Sequence, residues 1–285
     1  CGLLKCRIRG RLRLKGVRST NPVVVGDRVI VEPDQESSAI VEIIPRRNYV
    51  IRRASNLSKE SHIIAANVDH ALLIVTLHSP ATPYEFVDRF LITCEAYNIP
   101  VTIVLGKADT LVGEYAEEAA NFEAIYGNAG YSVMRLSSTT GLGVEQIYQL
   151  IDNHTILVAG NSGVGKSTLI SAIAPEVEIR TGEISESHHK GKHTTTFSTM
   201  YRVGNGYIID TPGIKGFGLI DIGDKELCRY FPEMMHLAPG CRFHNCTHIH
   251  EPGCAVREAV EQGIVAWSRY ESYLKILDED DKYRK

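Results

Sequence analysis

No apolar run in this 285-residue chain approaches the ~20 residues that a membrane-spanning helix needs. A secretory signal pattern, internal repeats and low-complexity tracts are also missing. The first absence argues against a helical membrane protein, and the lack of repeats against a solenoid. They set the expectation of a soluble cytoplasmic monomer, although the chain begins at Cys1 and residues can precede it. A disulfide framework is lacking too. The seven cysteines are odd in number and unevenly spaced, and three of them fall close together beside histidines. That pattern indicates a reducing compartment and a metal site. Net charge is nearly absent, at -3, but its distribution is uneven. Residues 1–53 hold 12 Lys+Arg and 5 Asp+Glu, a balance of +7, against 19 and 29 in the remainder. A basic block on an acidic chain points to an anionic partner, nucleic acid first, with a solvated basic face as the plain alternative.

The rhythm of the sequence divides the chain into three. In residues 1–60, Lys5–Leu14 alternates basic and apolar residues. Val23–Val25, Arg28–Glu32 and Ala39–Ile44 are β-branched runs separated by Gly26-Asp27 and Pro33-Asp34. Short strands with turn punctuation predict an all-β barrel resembling an OB fold, which suits RNA binding. Pro45–Glu60, rich in Arg, Asn and Ser, reads as a linker. Residues 61–224 alternate strands (His70–Leu77, Val101–Leu105, Ser132–Leu136, Thr155–Ala159) with helices (Pro83–Tyr97, Gly113–Ile125, Val144–Asp152, Lys166–Ala174), and Phe197–Val203 and Tyr207–Ile209 follow as strands. That predicts an α/β domain on a mostly parallel sheet. Residues 225–285 are first rich in Cys and His, then helical over Ala255–Gln262 and Ala266–Leu277.

Gly160-Asn161-Ser162-Gly163-Val164-Gly165-Lys166-Ser167 fits the phosphate-binding P-loop, between a strand and a helix as that motif requires. Its glycines let backbone N–H groups wrap phosphates, and the helix start, including Thr168, adds partial positive charge. Lys166 is assigned to the β- and γ-phosphates, and Ser167 to Mg²⁺. Asp210-Thr211-Pro212-Gly213 ends another strand. Asp210 would hold Mg²⁺, and the Gly213 N–H would meet the γ-phosphate. In Lys190–Thr196, Thr195 is favoured as a further Mg²⁺ and γ-phosphate ligand, with Thr194 the alternative. Gly106-Lys107-Ala108-Asp109 reads the base: the Asp109 carboxylate accepts two hydrogen bonds from a guanine edge, which adenine cannot supply. Lys107 covers the base face. The usual form is Asn-Lys-x-Asp, so Gly106 removes a side-chain contact to the base and a tie to the P-loop. Ser137-Ser138 supplies the partner motif, with the Ser138 N–H toward guanine O6.

Two polar groups expected of such a site are therefore missing. Besides the asparagine, a water-orienting Gln after the Asp-x-x-Gly motif is replaced by Ile214. His193 is the best substitute, with a plain surface residue as the alternative. The order of motifs is also unusual: both base-reading motifs precede the P-loop, which implies a circularly permuted GTPase domain. Cys241, Cys246, His248 and Cys254 offer three thiolates and an imidazole for one structural Zn²⁺; His244 and His250 are spare, so the choice of histidine stays open.

The permuted order, Gly191-Lys192-His193-Thr194-Thr195-Thr196, the Cys-x4-Cys-x-His-x5-Cys set and the basic N-terminal strands together resemble the RsgA (YjeQ) family of bacterial ribosome-assembly GTPases, over almost the whole chain. The resemblance implies a late checkpoint factor of small-subunit maturation. Such a factor binds the small ribosomal subunit through 16S rRNA, and hydrolyses GTP slowly alone and faster with the subunit. A nucleotide switch without an RNA partner fits poorly with the +7 block. A metabolic P-loop kinase leaves Asp109, Thr195 and Asp210–Gly213 unexplained.

Overall fold

His70–Val75 is a strand apolar on both sides, because helices cover both faces of the sheet it centres. The structure, a computed structural model, describes residues 2–9, 22–33, 38–53, 61–175, 198–211 and 224–283. At the N-terminal end, β1 (Cys6–Ile8), β2 (Val29–Glu32) and β3 (Ser38–Ile43) form a three-stranded sheet in the order β1-β3-β2. Then β4 (Tyr49–Arg53) and β5 (Ser61–Ala66) pair antiparallel.

The stretch expected to be a linker is thus partly a strand. Val50 and Ile51 are buried, and the preceding polar residues are tied down rather than solvated. Arg46 donates to both carboxylate oxygens of Asp27, at 2.6 and 2.7 Å. Arg47 reaches Asp69 at 2.6 Å. The Asn48 side-chain amide brackets Val68, donating to its carbonyl and accepting its N–H, each at 2.8 Å. Polar composition alone could not separate these paired side chains from a solvated linker.

The main sheet has six strands in the order β10-β11-β9-β6-β7-β8: Thr199–Val203, Gly206–Asp210, Thr155–Ala159, His70–Val75, Val101–Leu105 and Ser132–Arg135. Only β10 runs antiparallel. Alternate residues of the central strands enter different cores. On one face Leu73, Val75, Ile103, Leu105 and Leu157 meet α1 (Tyr84–Ala96) and α2 (Glu114–Asn128). On the other, Leu72, Ile74, Val104, Ile156 and Val158 meet α3 (Val144–Ile151) and α4 (Lys166–Ile173). The chain leaving β6 turns to α1 on the first face, and the chain leaving its neighbour β9 turns to α4 on the second. Divergence of neighbouring connections opens a crevice at the carboxyl ends of the strands, where such sheets bind ligands.

Beyond the sheet lie α5 (Asp224–Leu227), α6 (Pro232–Leu237), α7 (Ala255–Glu261) and α8 (Trp267–Tyr283). Their core of Leu227, Phe231, Met234, Val256, Tyr273 and Ile276 includes Ile92 of α1, which docks this segment on the sheet domain. Beside it Arg269 is only 1% exposed. It is paired with Asp88 of α1 at 2.6 Å and Glu233 of α6 at 2.7 Å.

Candidate nucleotide site and metal cluster

Parallel register sets the site. Val75, Leu105 and Arg135 are cross-strand partners, as are Val158 and Asp210, and β9 pairs with β6, so in strand order Thr211, Gly160, Thr76, Gly106 and Leu136 line one edge. Every sequence-predicted nucleotide residue among the described ones lies on or beside that edge.

Gly160 opens the P-loop at φ +147, and a Cβ there would stand 2.3 Å from the Ile74 carbonyl oxygen, so only glycine fits. Asn161 and Ser162 begin the turn, and Val164 is buried beneath it. Gly163 and Gly165 also hold positive φ. Gly165 caps α4 without any side-chain hydrogen bond, which leaves the N–H groups of the first turn, where Ser167 and Thr168 stand, open to an anion. Lys166 is 9% exposed and folds back, donating to the carbonyls of Gly160 and Asn161 at 2.7 Å each. Burial lowers its pKa, and the Asp210 carboxylate partly offsets this. Conversely, burial raises the Asp210 pKa and Lys166 partly lowers it again. Asp210 Oδ1 is buried with no protein partner. Each charge is thus incompletely compensated, and a polyphosphate with a divalent cation would supply what both lack. The orphaned Asp210 oxygen beside the P-loop fits Mg²⁺ held by Ser167 and Asp210.

On the base side, the Gly106 N–H continues the sheet to the Val75 carbonyl at 2.8 Å, and Lys107 adopts a left-handed conformation (φ 55). The exposed Asp109 carboxylate accepts a 2.6 Å hydrogen bond from the Ser137 hydroxyl, which holds its pKa below the usual carboxylate range. Ser137 is fully buried, and its hydroxyl also accepts the Thr140 N–H at 3.2 Å. The two base-reading motifs are therefore joined, with the half-buried Ser138 at their junction. His193, Thr194, Thr195, Gly213 and Ile214 lie outside the described residues.

Sequence reasoning missed the loop after β6. Thr76–Thr82 overhangs the edge, and the Lys107 ammonium donates to the Ser79 carbonyl. The signal was present: a Ser79-Pro80 turn dipeptide follows a buried central strand, where α/β sheets place their sites.

The second cluster is built from the C-terminal segment. One ligand atom each from Cys241, Cys246, His248 and Cys254 lies within 4.8 Å of all the others. The Cys241 and Cys254 sulfurs are 3.9 Å apart, and His248 Nδ1 is 3.6 and 3.4 Å from them. Tetrahedral zinc geometry, with bonds of ~2.3 Å to sulfur and ~2.0 Å to nitrogen, calls for separations of roughly 3.8 and 3.5 Å. The set fits Zn²⁺. His244 and His250 are exposed and outside the cluster, so the geometry selects His248. That residue sits at φ 61 in a turn organised by Glu251, whose carboxylate accepts the N–H groups of Thr247, Ile249 and His250. Burial opposes Glu251 ionisation, but these bonds and the Thr247 hydroxyl hold its pKa well below the usual carboxylate range. Tyr270 and Tyr273 of α8 donate to the His248 and Thr247 carbonyls at 2.6 and 2.8 Å, which links the cluster to α8.

Comparison with known proteins gives a consistent picture. The model of a family described as RsgA GTPase matches residues 43–220. The chain is 51% identical to "Small ribosomal subunit biogenesis GTPase RsgA 2" of Bacteroides thetaiotaomicron, covering 99% of this chain and 92% of that protein. It is also 51% identical to the protein named "Small ribosomal subunit biogenesis GTPase RsgA" of Porphyromonas gingivalis, covering 99% and 91%. Among solved structures, YjeQ from Thermotoga maritima superposes with a TM-score of 0.75 at 33% identity, covering 97% of this chain and 89% of that one. YloQ, described as a circularly permuted GTPase, superposes with a TM-score of 0.70 at 28% identity, covering 99% and 87%.

Proposed function

The chain belongs to the RsgA GTPase family, and from that premise we propose that it hydrolyses GTP as a late maturation checkpoint factor of the small ribosomal subunit. The observation that carries the GTPase reading is the single edge on which the P-loop, the orphaned Asp210 carboxylate and the Asp109–Ser137 pair converge. Lys166 and the P-loop N–H groups hold the β- and γ-phosphates, and Gly213 meets the γ-phosphate. Ser167, Asp210 and Thr195 hold Mg²⁺, which neutralises charge on the phosphates. Asp109 selects guanine with the Ser138 N–H, and Lys107 covers the base. His193 orients the attacking water when the subunit is bound.

The proposed division is an OB-like RNA-binding domain over residues 1–60, a permuted GTPase domain over 61–224 and a zinc-binding domain over 225–285. The basic N-terminal block contacts 16S rRNA, and the subunit stimulates hydrolysis. The protein acts in the cytoplasm as a monomer, and one Zn²⁺ is structural. No described helix is long and apolar enough to cross a membrane.

Base recognition is tested by equilibrium binding of guanosine, adenosine and xanthosine diphosphates. The wild type should prefer guanosine over adenosine by more than about a hundredfold. Asp109→Asn should lose guanosine and gain xanthosine, whose 2-carbonyl accepts from the new amide. Equal binding of adenosine and guanosine by the wild type would remove Asp109 from base recognition.

A further inference from the structure

Gly106 stands where the usual base-reading motif carries an asparagine. A Cβ placed on it would lie 3.3 Å from the Val164 carbonyl oxygen and 3.4 Å from Ile74 Cγ2 and the Val75 carbonyl oxygen. The position therefore faces the P-loop, and an asparagine amide there could donate to it. Glycine leaves the base-reading segment without a side-chain link to the phosphate-binding one.

A different link is present. Lys107, next in sequence, donates its ammonium to the Ser79 carbonyl. Pro80 follows, and its Cδ lies 3.4 Å from where a Gly163 Cβ would stand, so the loop rests on the P-loop. The loop is also closed upon itself. Thr76 Oγ1 donates to the Pro80 carbonyl at 2.5 Å. Thr82 Oγ1 accepts the Thr76 N–H at 3.1 Å, and the Thr82 N–H donates to the Thr76 carbonyl at 2.8 Å. Both threonines are buried, at 1% and 8% exposure. From the third side the His78 ring packs on Tyr115 at 4.1 Å, and its Nε2 lies 2.8 Å from Glu118, both on α2. A loop fixed in this way has little freedom left, so it can hold Lys107 against the P-loop.

We infer that residues 76–82 form a strap joining Lys107 to the P-loop, and that it supplies the positioning which an asparagine at 106 would otherwise provide. Thr76 and Thr82 are positioning residues: they shape the strap, and the strap places Ser79 and Pro80. The inference rests on the guanine-nucleotide reading of the site and extends it to a part of the chain with no other role.

The test uses the full chain, a fluorescent GDP analogue and thermal melting. Thr76→Val and Thr82→Val should each weaken binding about tenfold, as loss of one buried hydrogen bond does. Gly106→Asn is read against the double variant rather than against wild type, because its Cβ would lie 3.3 Å from the Val164 carbonyl oxygen and the backbone there must give slightly. In the Thr76→Val background it should restore affinity to within about threefold of wild type, a coupling that independent sites do not show. A threonine serving stability alone would lower the melting temperature without rescue at position 106. Lys107→Met supplies a second cycle, independent of whether asparagine is accommodated: combined with Thr76→Val, it should cost less than the sum of the two single losses. Wild-type binding by both threonine variants, or fully additive losses in the Lys107 cycle, would overturn the strap alone. A wild-type chain that binds no guanine nucleotide would overturn the underlying reading, and the strap with it.

Discussion

Arg269 of α8 donates to Asp88 of α1 at 2.6 Å, and both side chains are buried, at 1% and 0% exposure. The pair joins the C-terminal segment to the helix that follows the strap. The second arm of the guanidinium goes to Glu233, and its Cζ lies 4.7 Å from the centroid of the Phe231 ring. Burial opposes the charge on Arg269, but Asp88 and Glu233 hold its pKa well above the usual value. Arg269→Met should therefore destabilise the docked segment by ~3–5 kcal/mol, because two carboxylates stay buried without their cation. Chemical denaturation should then show the C-terminal segment loosening at lower denaturant. Adding Asp88→Asn should recover part of the loss. An unchanged midpoint in the single variant would mean that apolar contacts around Ile92 dock the segment by themselves.

Metal analysis of protein purified without chelator should find about one zinc per chain. Cys246→Ser should lower the stability of the C-terminal segment and leave GTP binding nearly intact, since the cysteine ligands pack in the C-terminal core. The damage should reach α8 through Tyr270 and Tyr273, and be read as faster hydrogen exchange in Trp267–Tyr283. Zinc-free protein with wild-type exchange there would contradict a structural role for the cluster.

Reversing the charge of Arg9, Arg11 and Arg13 together should weaken binding to the small subunit and flatten its salt dependence, because each lost phosphate contact removes about one released counterion. Arg9 pairs with Glu32, so part of its charge is already offset; Arg11 and Arg13 lie outside the described residues. Binding unchanged at two salt concentrations would move the RNA surface elsewhere on the chain.

His193→Ala should leave GTP and subunit binding intact, change basal hydrolysis little and remove most of the stimulation. The reason is chemical: Ile214 offers the attacking water no polar group, whereas an imidazole can orient it or take its proton near neutral pH. Single-turnover rates with saturating subunits decide the matter. Full stimulation of the variant would assign the water to rRNA or to a backbone group.

Much of the fold was legible because its signals are local. The central strands of the main sheet are apolar runs such as Val101–Leu105, and most strand boundaries agree with expectation to within one or two residues. The Cys and His set was legible from spacing, although only the three-dimensional clustering of ligand atoms singles out His248 from His244 and His250. What stayed hidden depends on contacts distant in sequence. Arg46 and Asn48 look like linker residues until Asp27 and Val68 are placed against them. Arg269 carries no sequence mark that distinguishes it from a surface arginine; only the docking of α8 on α1 reveals its partners. The strap likewise emerges only when β6, β7 and β9 are laid side by side.

The central claim is that this chain hydrolyses GTP at the P-loop edge and that the small ribosomal subunit accelerates it. The direct measurement is phosphate release from GTP by the purified full chain, with and without purified small subunits, beside Lys166→Ala and Ser167→Ala. Removing the ammonium or the Mg²⁺ ligand should lower the rate by about a hundredfold or more. The account expects slow release by the wild type alone, a marked rise with subunits, and almost none from either variant under both conditions. Wild-type turnover in both variants, or a wild-type rate indifferent to the subunit, would contradict it.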